Sequence, residues 1–210
     1  SDQKMAEIAP AVRGHVVDIL APLIEAGECD ICADFGSRLP MYVFATFFKV
    51  PTETASAIKE VGSVFNRAVQ NFDDEKVKET SIQLYEIAKG IIESRRENPM
   101  DPEDDVTSAL MATIYEGNPL PDDLVLGTIR QLLVVGMIAP SLLIGSIIIH
   151  LAGDTDLQNK LRQDMSLLPK ALEEFLRLYT PYRGFARTAN RDVEMGGRLI
   201  REDEPIALVY

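Results

Sequence analysis

Two cysteines and two histidines are all that the 210 residues contain. Two cysteines cannot staple a chain of this length, so a disulfide scaffold is excluded. Cys29 and Cys32 have the C-x-x-C spacing of zinc and redox sites. Zinc needs more ligands, His15 and His150 are the only histidines, and no second C-x-x-C exists. The pair reads as two small apolar residues in a reducing compartment. Basic charge is also scarce: 21 Lys and Arg against 33 Asp and Glu leave a net charge of −12 and a pI of about 4.6. That balance excludes non-specific nucleic-acid binding. The 13 glycines have no period, which excludes collagen. Nothing near Ser1 resembles a signal peptide.

What is present is ordinary globular material. Apolar residues make up 46% and charged residues 26%. A chain of this size buries roughly 70% of its unfolded surface, so core size does not limit it. The acid is uneven: Ser1 to Gly153 carries a net of −11 and Asp154 to Tyr210 a net of −1. An acidic front half reads first as solvated helix faces, with docking to a basic partner as the other reading. The closing run Ile206-Ala207-Leu208-Val209-Tyr210 has no polar tail and reads as a strand cut short, so the chain is expected to be a piece of a larger protein.

The periodicity is helical over most of the length. Met5, Ile8, Val12, Val16, Ile19, Leu20 and Leu23 recur at helical intervals up to Ala26-Gly27, with Pro10 implying a kink or a late start. Further helices are expected over Met41 to Val50, after Pro51-Thr52, over Asp73 to Arg96, over Asp105 to Tyr115, and from Pro121-Asp122-Asp123 onward. Asp154 to Tyr179 is helical with a break near Leu168-Pro169. After Pro181 the pattern changes. Val193 to Ile200 reads as strand, Gly196-Gly197 turn, strand, and Pro205 to Tyr210 as a third strand.

One segment has no charge at all. From Gln131 to Gly153 there is no Asp, Glu, Lys or Arg. Twenty-three such residues are long enough to cross a bilayer. The rival reading is a helix through the middle of a large helical core, and the amphipathic remainder of the chain favours it. Gly136, Pro140, Ser141, Gly145 and Ser146 suit both readings, since small residues permit close approach and proline distorts a helix.

Several patterns in fixed order resemble the soluble, bacterial-type cytochrome P-450 family. Gly27 to Pro40, with Asp34-Phe35 and Leu39-Pro40, is similar to that family's turn and short strand followed by D-F-x-x-x-L-P before a helix. Asn98-Pro99 and Asp104-Asp105-Val106-Thr107-Ser108-Ala109-Leu110 resemble its P-x-D-D-hydrophobic loop and helix. The charge-free run falls where the family has its long central helix. Ala171 to Arg177 resembles the E-x-x-R helix. Phe185-Ala186-Arg187-Thr188-Ala189 and Asp192 to Gly197 resemble the stretch leading into its hairpin. The E-x-x-R pair alone is uninformative; the ordered set covers essentially the whole chain.

The resemblance implies a mostly α, incomplete P-450-like domain over residues 1–210, with a helical core over 1–180 and a β-rich part over 181–210 that holds a small sheet near the C-terminus. It implies haem in the complete protein, a small apolar substrate, and a redox partner such as a ferredoxin or a flavin reductase. It implies a cytoplasmic monooxygenase that uses neither membrane nor nucleic acid. The family's iron ligand is a cysteine well after E-x-x-R; no cysteine follows Cys32 here, so the 210 residues alone are expected to be inactive. Glu174 and Arg177 share a helix face. By itself that is a surface pair; by resemblance it is a buried pair completed by a further arginine beyond Tyr210. Among Arg177, Arg183, Arg187, Arg191, Arg198 and Arg201, the resemblance singles out Arg187 as the ligand of a haem propionate, because a planar guanidinium offers a carboxylate two parallel hydrogen bonds.

In the central helix the family's A/G-G-x-D/E-T becomes Val135-Gly136-Met137-Ile138-Ala139. Ile138 stands where the acid belongs and Ala139 where the alcohol belongs, and neither can move a proton. Pro140 follows, and Ser141 is two positions late. Gly136, Ala139, Pro140 and Arg187 are therefore the candidate haem contacts. Val135, Ile138, Tyr182, Gly184 and Phe185 are the candidate substrate pocket. Two alternatives remain at this stage: a non-catalytic relative that binds a ligand or partner, and a helical membrane protein.

Overall fold

Aspartates cap three of the eight α-helices. The computed structural model describes residues 2–182 and 184–209; Arg183 and the strand end at Tyr210 fall outside the described residues. Asp73, Asp105 and Asp154 each accept a hydrogen bond from the backbone N–H three residues on, opening α4 (Asp74–Glu97), α5 (Val106–Ala112) and α7 (Thr155–Gln163). Each carboxylate satisfies a donor that the first turn leaves without an intrahelical partner. The other helices are α1 (Asp2–Ala26), α2 (Leu39–Phe48), α3 (Thr52–Gln70), α6 (Asp122–Gly153) and α8 (Leu168–Leu178).

Four expectations need correction. α1 begins at Asp2, ahead of Pro10, which overturns the late start; it continues through Pro10 and Pro22 and ends at Ala26, before Gly27, whose φ of +76° suits the glycine there. The turn and short strand expected before Leu39 is instead one π-helical turn, Ile31–Gly36, capped by the Asp30 carboxylate on the N–H groups of Cys32 and Ala33. Thus Cys32 lies on a helical turn, with Gly145 close to its sulfur. The helix expected over 105–115 stops at Ala112. There β1 (Ile114–Tyr115) and β2 (Asn118–Pro119) form a hairpin through Glu116 and Gly117, both at positive φ. The break expected near Leu168-Pro169 lies at Asp164, which caps a short 3₁₀ turn; Pro169 sits in the first turn of α8, where its missing N–H costs nothing.

Two compact units divide the chain, Ser1–Gly145 and Ser146–Tyr210. In the first, α3 packs on α4, and α2 packs on both α1 and α3. Its core joins Phe44 and Phe48 of α2, Ile58 of α3, Leu84, Ala88 and Ile91 of α4, and Val125, Ile129, Leu133 and Met137 of α6. The second unit holds the end of α6, α7, α8 and two antiparallel strand pairs. β4 (Val193–Met195) and β5 (Arg198–Ile200) form the expected hairpin. β6 (Pro205–Val209) pairs with β3 (Gly184–Thr188), a strand that the periodicity did not indicate. His150 Nδ1 lies 2.6 Å from the Tyr179 hydroxyl, and Phe175 meets the same imidazole edge-on.

α6 is long and apolar enough to cross a membrane. Its buried stripe belongs to the core of the first unit.

Thr107 is fully buried and its hydroxyl has no hydrogen-bond partner among the described residues. An unpaired buried hydroxyl carries a desolvation cost that an isosteric methyl removes. Thr107→Val is therefore expected to leave stability unchanged or raise it by about 1 kcal/mol. Chemical denaturation checks this; a loss of stability would mean that the hydroxyl is satisfied in solution.

Candidate functional site

α6 presents different chemistry on different sides. Successive residues turn by about 100°, so residues four apart nearly share a face. Val125, Ile129, Leu133 and Met137 are buried in the core. On the opposite side Leu124, Gln131, Val135 and Leu142 are exposed, and Ala139 joins them half-buried. This open stripe carries no charge, and its centre, Val135 and Ala139, is small and apolar.

The other named positions on α6 point elsewhere. A Cβ on Gly136 would stand 3.4 Å from Phe44 Cδ2, so this residue faces α2. Phe44 is itself held by stacking on Phe48, with centroids 4.2 Å apart. Ile138 faces α3 and lines a cavity of about 330 Å³ together with Ile58 and Gly62. Pro140 sits on an exposed side of the helix interior. Ser141 donates its hydroxyl to the Met137 carbonyl at 2.7 Å, which ties its proton to the helix's own backbone. Val135 and Ala139 thus share one face, while Ile138 and Gly136 flank it on different sides.

In the second unit Glu174 and Arg177 form a two-pronged pair: Nε donates to Oε2 at 2.8 Å and Nη2 to Oε1 at 2.6 Å. Both side chains are more than half exposed. The guanidinium holds the Glu174 carboxyl below its usual range through that hydrogen bond. Arg187 is exposed on β3, where its Nη1 donates to the Ala186 carbonyl at 2.9 Å. No carboxylate pairs with it among the described residues. Tyr182 and Phe185 are in ring contact, with centroids 5.6 Å apart and planes tilted by 32°.

Gly184 has a backbone reason to be glycine. A Cβ there would overlap the Leu208 carbonyl of the partner strand. Gly184→Ala is expected to destabilise the β3–β6 pair by about 1–3 kcal/mol, the usual cost of overpacking. Faster hydrogen exchange at the β3 and β6 amides, with β4 and β5 unchanged, is the readout. Unchanged protection would remove the steric argument.

One strong constellation was not anticipated. Arg95, on α4, reaches Asp105 with Nε to Oδ2 at 3.0 Å and Nη2 to Oδ1 at 3.2 Å. Nη2 also donates to the carbonyls of Phe48 and Lys49 at the end of α2. Asp105 Oδ2 accepts from the backbone and hydroxyl of Ser108, both at 2.8 Å. The side chains are 7% and 0% exposed, so this ion pair is taken out of water. Burial alone pushes the Asp105 carboxyl up; the hydrogen bonds from Arg95 and Ser108 more than reverse that and hold it below its ordinary 3.8. The pair ties α2, α4 and α5 together. Its signal in the sequence was Arg95 itself, which continues the apolar stripe Leu84, Ala88, Ile91.

The open stripe of α6 suits an apolar partner. Residues 41–209 match the family model described as Cytochrome P450. The chain belongs to the cytochrome P450 family. Haem is accordingly the cofactor of the complete protein. The chain is 26% identical over 203 residues to "Cytochrome P450 109" of Bacillus spizizenii, which covers 91% of this chain and 49% of that relative. It is 29% identical over 202 residues to "Steroid C26-monooxygenase" of Mycolicibacterium smegmatis, covering 94% and 50%. Among solved structures, a Bacillus megaterium P450 in complex with testosterone superposes with a TM-score of 0.84 at 25% identity, over 99% of this chain and 56% of the other. A Mycobacterium marinum P450 in complex with pseudoionone gives 0.87 at 23% identity, over 100% and 52%, which concerns the fold alone. The chain spans about half the length of these relatives.

Proposed function

We propose that the complete protein is a cytoplasmic haem-thiolate monooxygenase that oxidises a small apolar molecule with electrons from a ferredoxin or a flavin reductase. The observation that carries this reading is the open, uncharged stripe of α6 with Val135 and Ala139 at its centre. Two relatives support the substrate class: one is named a steroid monooxygenase, and a solved one holds testosterone.

Each residue then has a defined task. Val135 and Ala139 form an apolar wall that accepts the cofactor and the substrate and excludes water. Gly136 lets α6 approach Phe44, which positions that wall. Arg187 binds a propionate carboxylate through its guanidinium. Tyr182, Gly184 and Phe185 line the substrate space. When bound, haem supplies oxygen activation and one-electron chemistry. No side chain at 138 or 139 holds a transferable proton, so protons reach the open face through ordered water or the substrate. Cys29 and Cys32 are both exposed, and the iron's thiolate comes from the part of the protein that this chain does not span.

The test is the reduced carbon-monoxide difference spectrum of the full-length protein, with Arg187→Ala beside it. A thiolate-type Soret band is expected in the parent. Haem affinity is expected to fall by about tenfold or more in the variant, because a hydrogen bond to a charged group contributes about 1.5–3 kcal/mol. Absence of the band in the parent overturns the haem-thiolate reading. Undiminished haem affinity in the variant overturns the role of Arg187. The aliphatic residues at 138 and 139 favour one second reading, a relative that binds ligands without turning them over; a ligand-induced spectral shift with no product would establish it.

A further inference from the structure

Cysteine is among the most buried residue types in folded proteins. This chain has two, and both are exposed. The expectation that Cys29 and Cys32 act as small apolar packing residues therefore fails in the structure. The turn that carries them is held by other groups. Asp30, between them, accepts the backbone N–H groups of Cys32 and Ala33 on Oδ1, both at 3.0 Å. Asp34 Oδ2 accepts the Asp30 N–H at 2.9 Å, so two carboxylates lock the turn from both sides. Cys29 stands one residue before the cap and Cys32 two residues after it. Three residues span about 10 Å at full extension, and the helical turn over Ile31–Gly36 shortens that reach. On its inner side the Cys32 sulfur meets α6 at Gly145, where a Cβ would stand 3.1 Å from it.

Two exposed thiols on a locked turn form a chelate of soft donors, and the number of donors selects the ion. Structural zinc is four-coordinate, and calcium and magnesium take six or more oxygen ligands. Among the described residues no three His, Cys, Asp or Glu side chains are placed to share a metal ion. Both imidazoles are engaged away from the pair. His15 Nε2 lies 2.8 Å from the Thr46 hydroxyl, and His150 Nδ1 lies 2.6 Å from that of Tyr179. The carboxylates of Asp30 and Asp34 are taken up by the backbone of the turn. The ion that fits is one satisfied by two sulfurs. Monovalent copper is soft, favours thiolates and accepts two donors in line. Its positive charge also suits a chain with a net charge of −12. A reducing compartment keeps the thiols free to bind it.

We propose that Cys29 and Cys32 bind one Cu(I) ion as a two-thiolate site on the turn that leads into α2. Binding releases both thiol protons to solvent; no electron is transferred, and the copper stays monovalent. The Asp30–Asp34 lock fixes the backbone between the two donors before the metal arrives. Gly145 leaves the Cys32 sulfur its place beside α6. The site uses neither the open stripe nor Arg187, so it stands apart from the haem reading.

Anaerobic titration of Cu(I) into the reduced full-length protein tests this, with bicinchoninate as the competing chelator. Cys29→Ser, Cys32→Ser and the double variant are titrated beside the parent, so that the differences isolate this pair from cysteines elsewhere in the protein. The parent is expected to hold one Cu(I) more than the double variant. Each single variant is expected to lose affinity for that ion by about 100-fold or more, beyond the cost of losing an outer partner. X-ray absorption at the copper edge is expected to show two sulfur neighbours. Zinc is expected not to displace the ion, because two thiolates leave it short of donors. Both residues are exposed, so circular dichroism is expected to be the same in all four proteins. Equal Cu(I) uptake by the parent and the double variant overturns the proposal, as does a copper site with three or more donors. The carbon-monoxide spectrum reports on the haem reading alone, so the two can fail separately.

Discussion

Arg95→Ala is expected to lower the unfolding free energy of the full-length protein by about 3–5 kcal/mol, the usual cost of leaving one partner of a buried pair uncompensated. The geometry makes the high end reasonable. Removing the guanidinium strips the Asp105 carboxylate of two donors and the carbonyls of Phe48 and Lys49 of theirs, all at a site where the two side chains are 7% and 0% exposed. Asp105→Asn is expected to cost less, because the amide oxygen can still accept from Ser108. Replacing both partners together, as Arg95→Met with Asp105→Leu, is expected to recover part of the loss, since no charge is then stranded. Urea denaturation of the three variants measures this. A loss below about 1 kcal/mol for Arg95→Ala would place the pair with ordinary surface bridges.

The same pair sets a direction with pH. The Asp105 carboxyl lies below its ordinary 3.8 in the folded protein. A depressed carboxyl binds fewer protons folded than unfolded, so its contribution is fully present above that ordinary value. It is lost as pH falls further, through the folded value. Acid unfolding below pH 3.8 is therefore expected to be steeper in the parent than in Asp105→Asn. Equal slopes would show that the carboxyl is not depressed.

Periodicity reveals helices because most of them bury one stripe. That is why α3 and α4, the uncharged length of α6, and the hairpin at Gly196-Gly197 were legible in the residues. The failures have local causes. Ile31–Gly36 was expected as an extended segment, but Asp30 caps its backbone and turns it into a helical coil, a decision taken by one side chain rather than by a pattern. The β1–β2 hairpin rests on Glu116 in a left-handed conformation that no composition rule favours. β3 escaped notice because its burial does not alternate; every residue from Gly184 to Thr188 is exposed, and only pairing with β6 defines it. On α6 the residues alone do not say which side each one takes. Val135, Gly136 and Ile138 are near neighbours in sequence, yet they address the open stripe, α2 and α3 in turn. The Arg95–Asp105 pair was half visible. Asp105 stood in a quoted motif, but the arginine that completes it lies ten residues earlier, among stripe positions that read as apolar.

The placement of Ile138 and Ala139 leads to the second large effect. Ala139 lies along the open stripe, while Ile138 lines the cavity that also holds Lys59 and Arg67. An acid at 138 would therefore meet cations and solvent on the α3 side, and an alcohol at 139 would reach the open face. Together they would join the two sides across the helix. With isoleucine and alanine in place, that route is closed, and Ser141 does not reopen it because its hydroxyl is engaged by the Met137 carbonyl. A positioned acid–base group contributes about 10²–10⁴-fold to proton transfer. In the full-length protein the parent is expected to release much of its reductant as hydrogen peroxide. Ile138→Asp with Ala139→Thr is expected to raise the product-to-peroxide ratio by about tenfold or more, a conservative share of that range. Ala139→Val, which adds bulk without a hydroxyl, is expected to give no gain. If the parent already converts reductant to product one for one, protons arrive by a route that these two positions do not control.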